Sequence, residues 1–220
     1  IRRAFPEVIG YGSAPCQEIL QRPNAKVLMK KLGTAARELY RPDSKEEIPV
    51  DDLAVDIALK DGDMVSLGNE TIQAIEAKGH TDCSMAYALE PDGILFTSES
   101  TGIVEAGLAI NTPILKSFAD AMTSLEKCRG YGAKYICLPH FGLIPQDFNE
   151  EYWMRFQQGC EDRIQMVREM KKEGLDADQM LERYRDRYWD PIMEQEQPIE
   201  AFLINAKNII KAALRALDEK

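Results

Sequence analysis

The apolar residues of this chain follow two rhythms. Up to about residue 148 they fall in short runs separated by Gly, Pro, Asp and Asn. From residue 149 they recur every three or four positions within long, charged, Gly-poor stretches. The first rhythm is that of strands and turns with a few helices between them. The second belongs to amphipathic helices.

Within the first part, the run at 8–11 reads as a short strand closed by Gly12 and Ser13, and 14–20 and 24–40 read as helices. In the second helix Leu28, Leu32, Ala35 and Leu39 stand at i, i+4, i+7 and i+11, which predicts one buried stripe. Residues 41–52 form a polar, proline-punctuated loop. Strands are predicted at 53–59, 64–67, 71–77, 84–89 and 94–97, with turn signals at Asp61-Gly62-Asp63, Gly68-Asn69 and Pro91-Asp92-Gly93. That succession is an antiparallel meander. Thr112 as N-cap and Pro113 at the first helical position predict a helix running to Arg129, ended by Gly130 and Gly132. A buried strand at 133–138 follows. Hairpins, then a helix and a returning strand, indicate an α/β sandwich layer.

The second part predicts helices at 149–173, 176–189 and 198–217, bounded by Gly174 and Pro191. Tyr152, Phe156, Cys160, Ile164 and Val167 make the stripe of the first, and Phe202, Ile209, Ile210 and Leu214 that of the last. The expected division is therefore a core at 1–148 and a helical extension at 149–220. The stripes would pack on the core or on a second copy of the chain, with a role in shaping or capping a substrate pocket as the alternative.

Composition narrows the class of partner. The 220 residues are 45% hydrophobic, enough for a sizeable core, and carry a formal net charge of −10. Such a surface disfavours nucleic acid and anionic membranes. No apolar run approaches the roughly 20 residues that span a bilayer. The five cysteines, Cys16, Cys83, Cys128, Cys137 and Cys160, are scattered and include no C-x-x-C pair. A disulfide framework is not expected from that layout, and a reducing cytoplasm is. Cys137 and Cys160 sit among apolar neighbours and read as core residues.

Candidate chemistry lies at strand ends. The chain has two histidines, and each directly follows an apolar run: His80 in Lys78-Gly79-His80-Thr81-Asp82, and His140 in Leu138-Pro139-His140-Phe141-Gly142. Glu99 occupies a third such loop, Leu95-Phe96-Thr97-Ser98-Glu99. Sheet scaffolds display functional side chains from loops of this kind. If the three converge, two imidazoles and a carboxylate make an N/O ligand set for zinc, iron or manganese. Ser98 and Thr81 stand where they could orient such ligands, and Cys83 reads as an ordinary residue.

Gly79-His80-Thr81, Ser84-Met85-Ala86-Tyr87, Pro91-Asp92-Gly93, Leu95-Phe96-Thr97-Ser98-Glu99 and Leu138-Pro139-His140-Phe141-Gly142 follow one another in an order that resembles the metallo-β-lactamase-fold superfamily. The resemblance covers most of residues 1–145. It implies an α/β fold, the C-terminal portion of a metallo-β-lactamase αββα sandwich, with an all-helical C-terminal extension. It further implies metal ligation by His80 at a first metal, Glu99 as the bridging carboxylate and His140 at a second metal. Two departures stand out. The family's H-x-H-x-D-H signature is absent, and Glu99 stands where the family has Asp. The opening segment resembles the helix that follows that signature, so the missing N-terminal segment of the same protein is expected as a partner.

The implied activity is that of a metal-dependent hydrolase using a metal-bound hydroxide on a small ester, thioester, lactone or phosphoester. Two zinc ions are the expected cofactors in the intact protein, with iron or manganese as variants. These residues alone would be inactive. The expected partners are a small-molecule substrate and a second copy of the chain through the helical extension. Two alternatives go with this reading. One is a degenerate, non-catalytic binding or regulatory protein, and the other an iron-dependent oxidoreductase on the same fold.

Overall fold

Alternation of apolar side chains with a period of two builds the central meander, because successive residues of a strand face opposite sides of the sheet. The computed structural model describes residues 1–218. In chain order its elements are β1 (Tyr11–Ser13), α1 (Ala14–Gln21), α2 (Pro23–Tyr40), β2 (Ile57–Leu59), β3 (Met64–Ser66) and β4 (Thr71–Glu76). Then come β5 (Met85–Glu90), β6 (Ile94–Phe96), β7 (Ile103–Val104), β8 (Ile110–Asn111) and α3 (Phe118–Gly130). The last are β9 (Tyr135–Leu138), β10 (Gly142–Leu143), α4 (Asn149–Lys172), α5 (Ala177–Tyr188), α6 (Met193–Glu196) and α7 (Ile199–Asp218).

The main sheet has six strands in the order β10-β9-β6-β5-β4-β3. Neighbours are antiparallel except β6 and β9, which run parallel because α3 returns the chain between them. The predicted meander is thus present from β3 to β6, but its expected first strand at 53–59 is reduced to Ile57–Leu59 and leaves the sheet to pair in parallel with β1. Ile75, Ala77, Ala86 and Ala88 point to the helical side and join a cluster with Leu125, Phe156 and Ile209. Ala74 and Met85, one position out of phase, meet Leu59 on the other face. The layout is mixed α/β, with the helical C-terminal region packed against the sheet side that carries the larger cluster. Among the described residues no helix is long and apolar enough to cross a membrane.

The stripe of α4 is buried as its spacing predicts: Tyr152, Phe156, Cys160 and Val167 are covered, and Ile164 is half-buried. The stripe of α2 is not. Leu28 is 45% and Leu39 40% exposed, and no residue of α2 is buried. The reason is a missing partner, because α2 leans on the loop that follows it, with Gly33 against Ile48, rather than on the sheet. The start of α3 also differs from expectation. Thr112 and Pro113 stay extended, and Ile114 is fully buried. Ser117 caps the helix instead, its hydroxyl accepting from the Asp120 amide at 3.1 Å. Cys160 is buried, whereas Cys137 is half-exposed and Cys128 takes a core position.

Candidate metal centre

His80 sits on the loop that leaves β4, and Gly79 makes that loop feasible. Its φ is +135°, and a Cβ there would lie 2.7 Å from the Ala121 backbone of α3, so a side chain has no room. The His80 backbone N–H donates to the Ser100 hydroxyl at 3.0 Å. Its Nδ1 lies 2.5 Å from the Pro113 carbonyl. A carbonyl only accepts, so Nδ1 carries a proton and donates, and Nε2 is the nitrogen left for other partners. That Nε2 faces Glu99 Oε2 at 3.6 Å.

Glu99 opens a 3-10 turn, Glu99–Thr101, directly after β6. Ser98 caps the turn by accepting from the Ser100 amide at 3.3 Å. The turn is held from behind by α4, whose Tyr152 hydroxyl donates to the Thr101 carbonyl. Gly102 follows at a φ of +96°, with the Phe156 ring 2.7 Å from where a Cβ would be. These contacts fix the backbone that aims Glu99.

His140 is at the apex of the β9–β10 hairpin, between the paired Leu138 and Gly142. Its φ of +66° is left-handed, a conformation that costs a non-glycine residue about 1 kcal/mol. Its Nε2 faces the other carboxylate oxygen, Oε1, also at 3.6 Å. The His140 side chain is 65% exposed and that of His80 15%. Burial works to raise the Glu99 pKa, but contact with His140 and the charges of both imidazoles outweigh it and hold the carboxyl below its ordinary value. In return the Glu99 carboxylate lifts the His140 imidazole above its ordinary value, against burial.

The three residues singled out from the sequence therefore meet at one place. They meet as two pairs sharing a carboxylate, one imidazole per oxygen. Consistently, among the described residues no three His, Cys, Asp or Glu side chains form a group that could hold a metal ion by itself. Donor chemistry fits a metal: the Pro113 carbonyl fixes the His80 tautomer as outer partners of metal-bound imidazoles do. Of the neighbours suspected as orienting groups, Ser98 acts on the Glu99 turn. Thr81 instead bonds Ser84 and Cys83.

A cleft of about 1360 Å³ opens beside the trio, walled on its far side by α4 and α5. Sequence reasoning missed three groups here: Ser100, the Pro113 carbonyl, and Arg163 on the cleft wall. A signal for Arg163 existed. It occupies a stripe position in the series Phe156, Cys160, Arg163, Val167, Met170, where a charged residue is out of place.

No family model matches the chain. Among solved structures, a β-lactamase domain protein from Burkholderia ambifaria is similar at a TM-score of 0.55 and 20% identity, covering 87% of this chain and 55% of its own. The chain thus spans about half the length of that protein. A metallo-β-lactamase family protein from Thermus thermophilus has a TM-score of 0.49 at 17% identity, with 96% and 67% covered. An archaeal metallo-β-lactamase superfamily protein from Sulfolobus tokodaii has a TM-score of 0.45 at 17% identity, with 96% and 70% covered. With its six-stranded sheet and the helix between parallel strands, this chain has the metallo-β-lactamase fold.

Proposed function

We propose that the protein is a metal-dependent hydrolase of a small ester, thioester, lactone or phosphoester, with His80, Glu99 and His140 as metal ligands. The observation that carries this reading is the shared carboxylate, each Glu99 oxygen faced by one imidazole Nε2 at 3.6 Å. A carboxylate so placed suits a bridge between two cations. His80 would hold one and His140 the other, each through Nε2. A bound pair of divalent metals, zinc by donor type, supplies Lewis-acid polarisation of the substrate and an activated water. The chain's own part is positional: Pro113 and Ser100 hold His80, the Ser98 turn aims Glu99, and the hairpin apex presents His140 to solvent. One imidazole and one carboxylate oxygen leave each coordination sphere short of four donors. The reading therefore requires further ligands from another segment.

The test is metal content of protein expressed from the complete gene. Close to two zinc or other divalent ions per chain are expected, falling to one or fewer in Glu99→Gln, with esterase or phosphodiesterase activity lost on chelation. A content near zero in wild-type protein would sink the reading. The incomplete donor set favours a second reading, a non-catalytic ligand-binding protein, for which the same near-zero content is the expected result.

A further inference from the structure

Arg163 is 6% exposed, yet no carboxylate among the described residues makes an ion pair with it. Its partners are neutral. Nε donates to the Tyr184 hydroxyl at 3.1 Å, one terminal nitrogen to the Gly159 carbonyl at 3.4 Å, and the other to Asn111 Oδ1 at 2.7 Å. Its carbon centre lies 4.6 Å from the Tyr188 ring centroid. A guanidinium has five N–H donors, so each terminal nitrogen keeps one hydrogen with no acceptor among the described residues. Burying a charge is costly unless it is paired. Three neutral bonds and one ring explain how Arg163 is held in place. They do not neutralise it.

A second cation stands by the same ring. The Arg187 carbon centre is 5.9 Å from the Tyr188 centroid, and Arg187 too has no ion pair among the described residues. Both arginines line the cleft that His80, Glu99 and His140 open into. Glu105 stands one step back, since the Asn111 amide donates to it while the Asn111 oxygen accepts from Arg163, and Asp190 of the same wall accepts from the Ile192 and Met193 amides. Asp162 and Glu169 of the same wall are bonded to Gln158 and Gln165 on the exposed side of α4.

The two sites are also close. Asn111 holds Arg163, and two residues further on the Pro113 carbonyl holds His80. An extended chain spans roughly 7 Å over two residues. A small molecule can therefore reach both.

We propose that Arg163 and Arg187, flanking Tyr188, form an anion subsite that receives a terminal carboxylate or phosphate of the substrate. The inference rests on the hydrolase reading for what happens at the other end of that molecule. It restricts the substrate to an ester, thioester or lactone carrying a remote oxyanion, or a phosphoester with a second anionic group. Guanidinium forks suit such groups because two parallel N–H bonds match two oxygens.

Anion binding can be tested without metal, so its failure and that of the hydrolase reading separate. The metal-stripped 220-residue chain, dialysed free of chelator, is titrated by calorimetry with glutarate, inorganic phosphate and the neutral control glutaramide. The Arg side-chain Nε–H signals are followed by NMR. Glutarate or phosphate should bind at least tenfold more tightly than glutaramide and shift the Arg163 Nε–H signal. Tighter glutarate assigns a carboxylate substrate, and tighter phosphate a phosphorylated one. Arg187→Gln, exposed and harmless to folding, should weaken binding at least fivefold, while Lys172→Gln, which removes the same charge elsewhere, should change it less than twofold. Arg163→Lys keeps the charge if Arg163→Gln fails to fold, and should lose affinity through the missing fork. Equal binding of glutarate and glutaramide, equal loss in Arg187→Gln and Lys172→Gln, or shifts confined to the histidine rings would overturn the proposal.

Discussion

Ser100 is fully buried, and its hydroxyl accepts the backbone N–H of His80. Replacing it with alanine leaves that amide without an acceptor in a half-buried loop. Losing a buried partner costs about 1–3 kcal/mol. Ser100→Ala should lower unfolding stability by that amount in a denaturant titration, and under the proposed hydrolase reading should weaken metal retention because His80 loses one of its two anchors. A second residue-scale prediction concerns acid. Burial works to raise the Asp61 pKa, but the Lys127 ammonium at 2.9 Å and the Glu76 amide at 2.7 Å outweigh it and hold the carboxyl below its ordinary value of 3.8. A depressed folded pKa contributes stability that is present above the ordinary value and is lost as pH falls through the folded one. The pair is half-exposed, so its worth is about 0.5–1 kcal/mol. The Tm gap between wild type and Asp61→Asn should hold from neutral pH down to about 3.8 and close below it. At this scale the loop positions of His80, Glu99 and His140 were legible from the apolar runs before them, whereas taking the three together came from the family resemblance. Their ordering groups were not legible. A main-chain carbonyl such as that of Pro113 leaves no mark on residue type, and Arg163 contradicts its stripe only to a reader who asks why.

Elements were legible where periodicity and partner agree. The stripe of α4 is buried because α3, α7 and β8 pack around it. The stripe of α2 has the same spacing and remains half-open, since periodicity states which face could be covered, not whether anything covers it. The start of α3 makes the complementary point. Thr112-Pro113 is a strong opening signal, yet tertiary demands override it: the Pro113 carbonyl is taken by His80 and Ile114 is drawn into the core. The helix then begins at Ser117, whose hydroxyl accepts from the Asp120 amide. Ser117→Ala should therefore cost about 1 kcal/mol, the usual worth of an N-cap, read as a lower midpoint in urea. Thr112→Val should leave the helix start unchanged, which amide hydrogen exchange at residues 118–121 would register. Equal loss of protection in both variants would restore Thr112 as the cap.

At the scale of the whole molecule, one hydrophobic cluster runs from the sheet through α3 into α4, α5 and α7. The site depends on that continuity, because the turn carrying Glu99 is braced by Tyr152 and Phe156, which belong to the first turns of α4. Tyr152, Trp153 and Phe156 are all essentially buried. Truncating one large buried aromatic costs about 3–5 kcal/mol. A domain's entire stability is about 5–15 kcal/mol. Removing all three together, as a chain ending at Phe148 would, costs about 9–15 kcal/mol, the same order as that entire stability. Such a chain should show no cooperative thermal transition and no dispersed methyl signals by NMR. The 220-residue chain should unfold in one step, with helix content by circular dichroism and fluorescence from Trp153 and Trp189 changing at the same temperature. Two separated transitions would instead make the helices an independent layer. The bracing of Glu99 by α4 would then be a contact that the sheet can fold without.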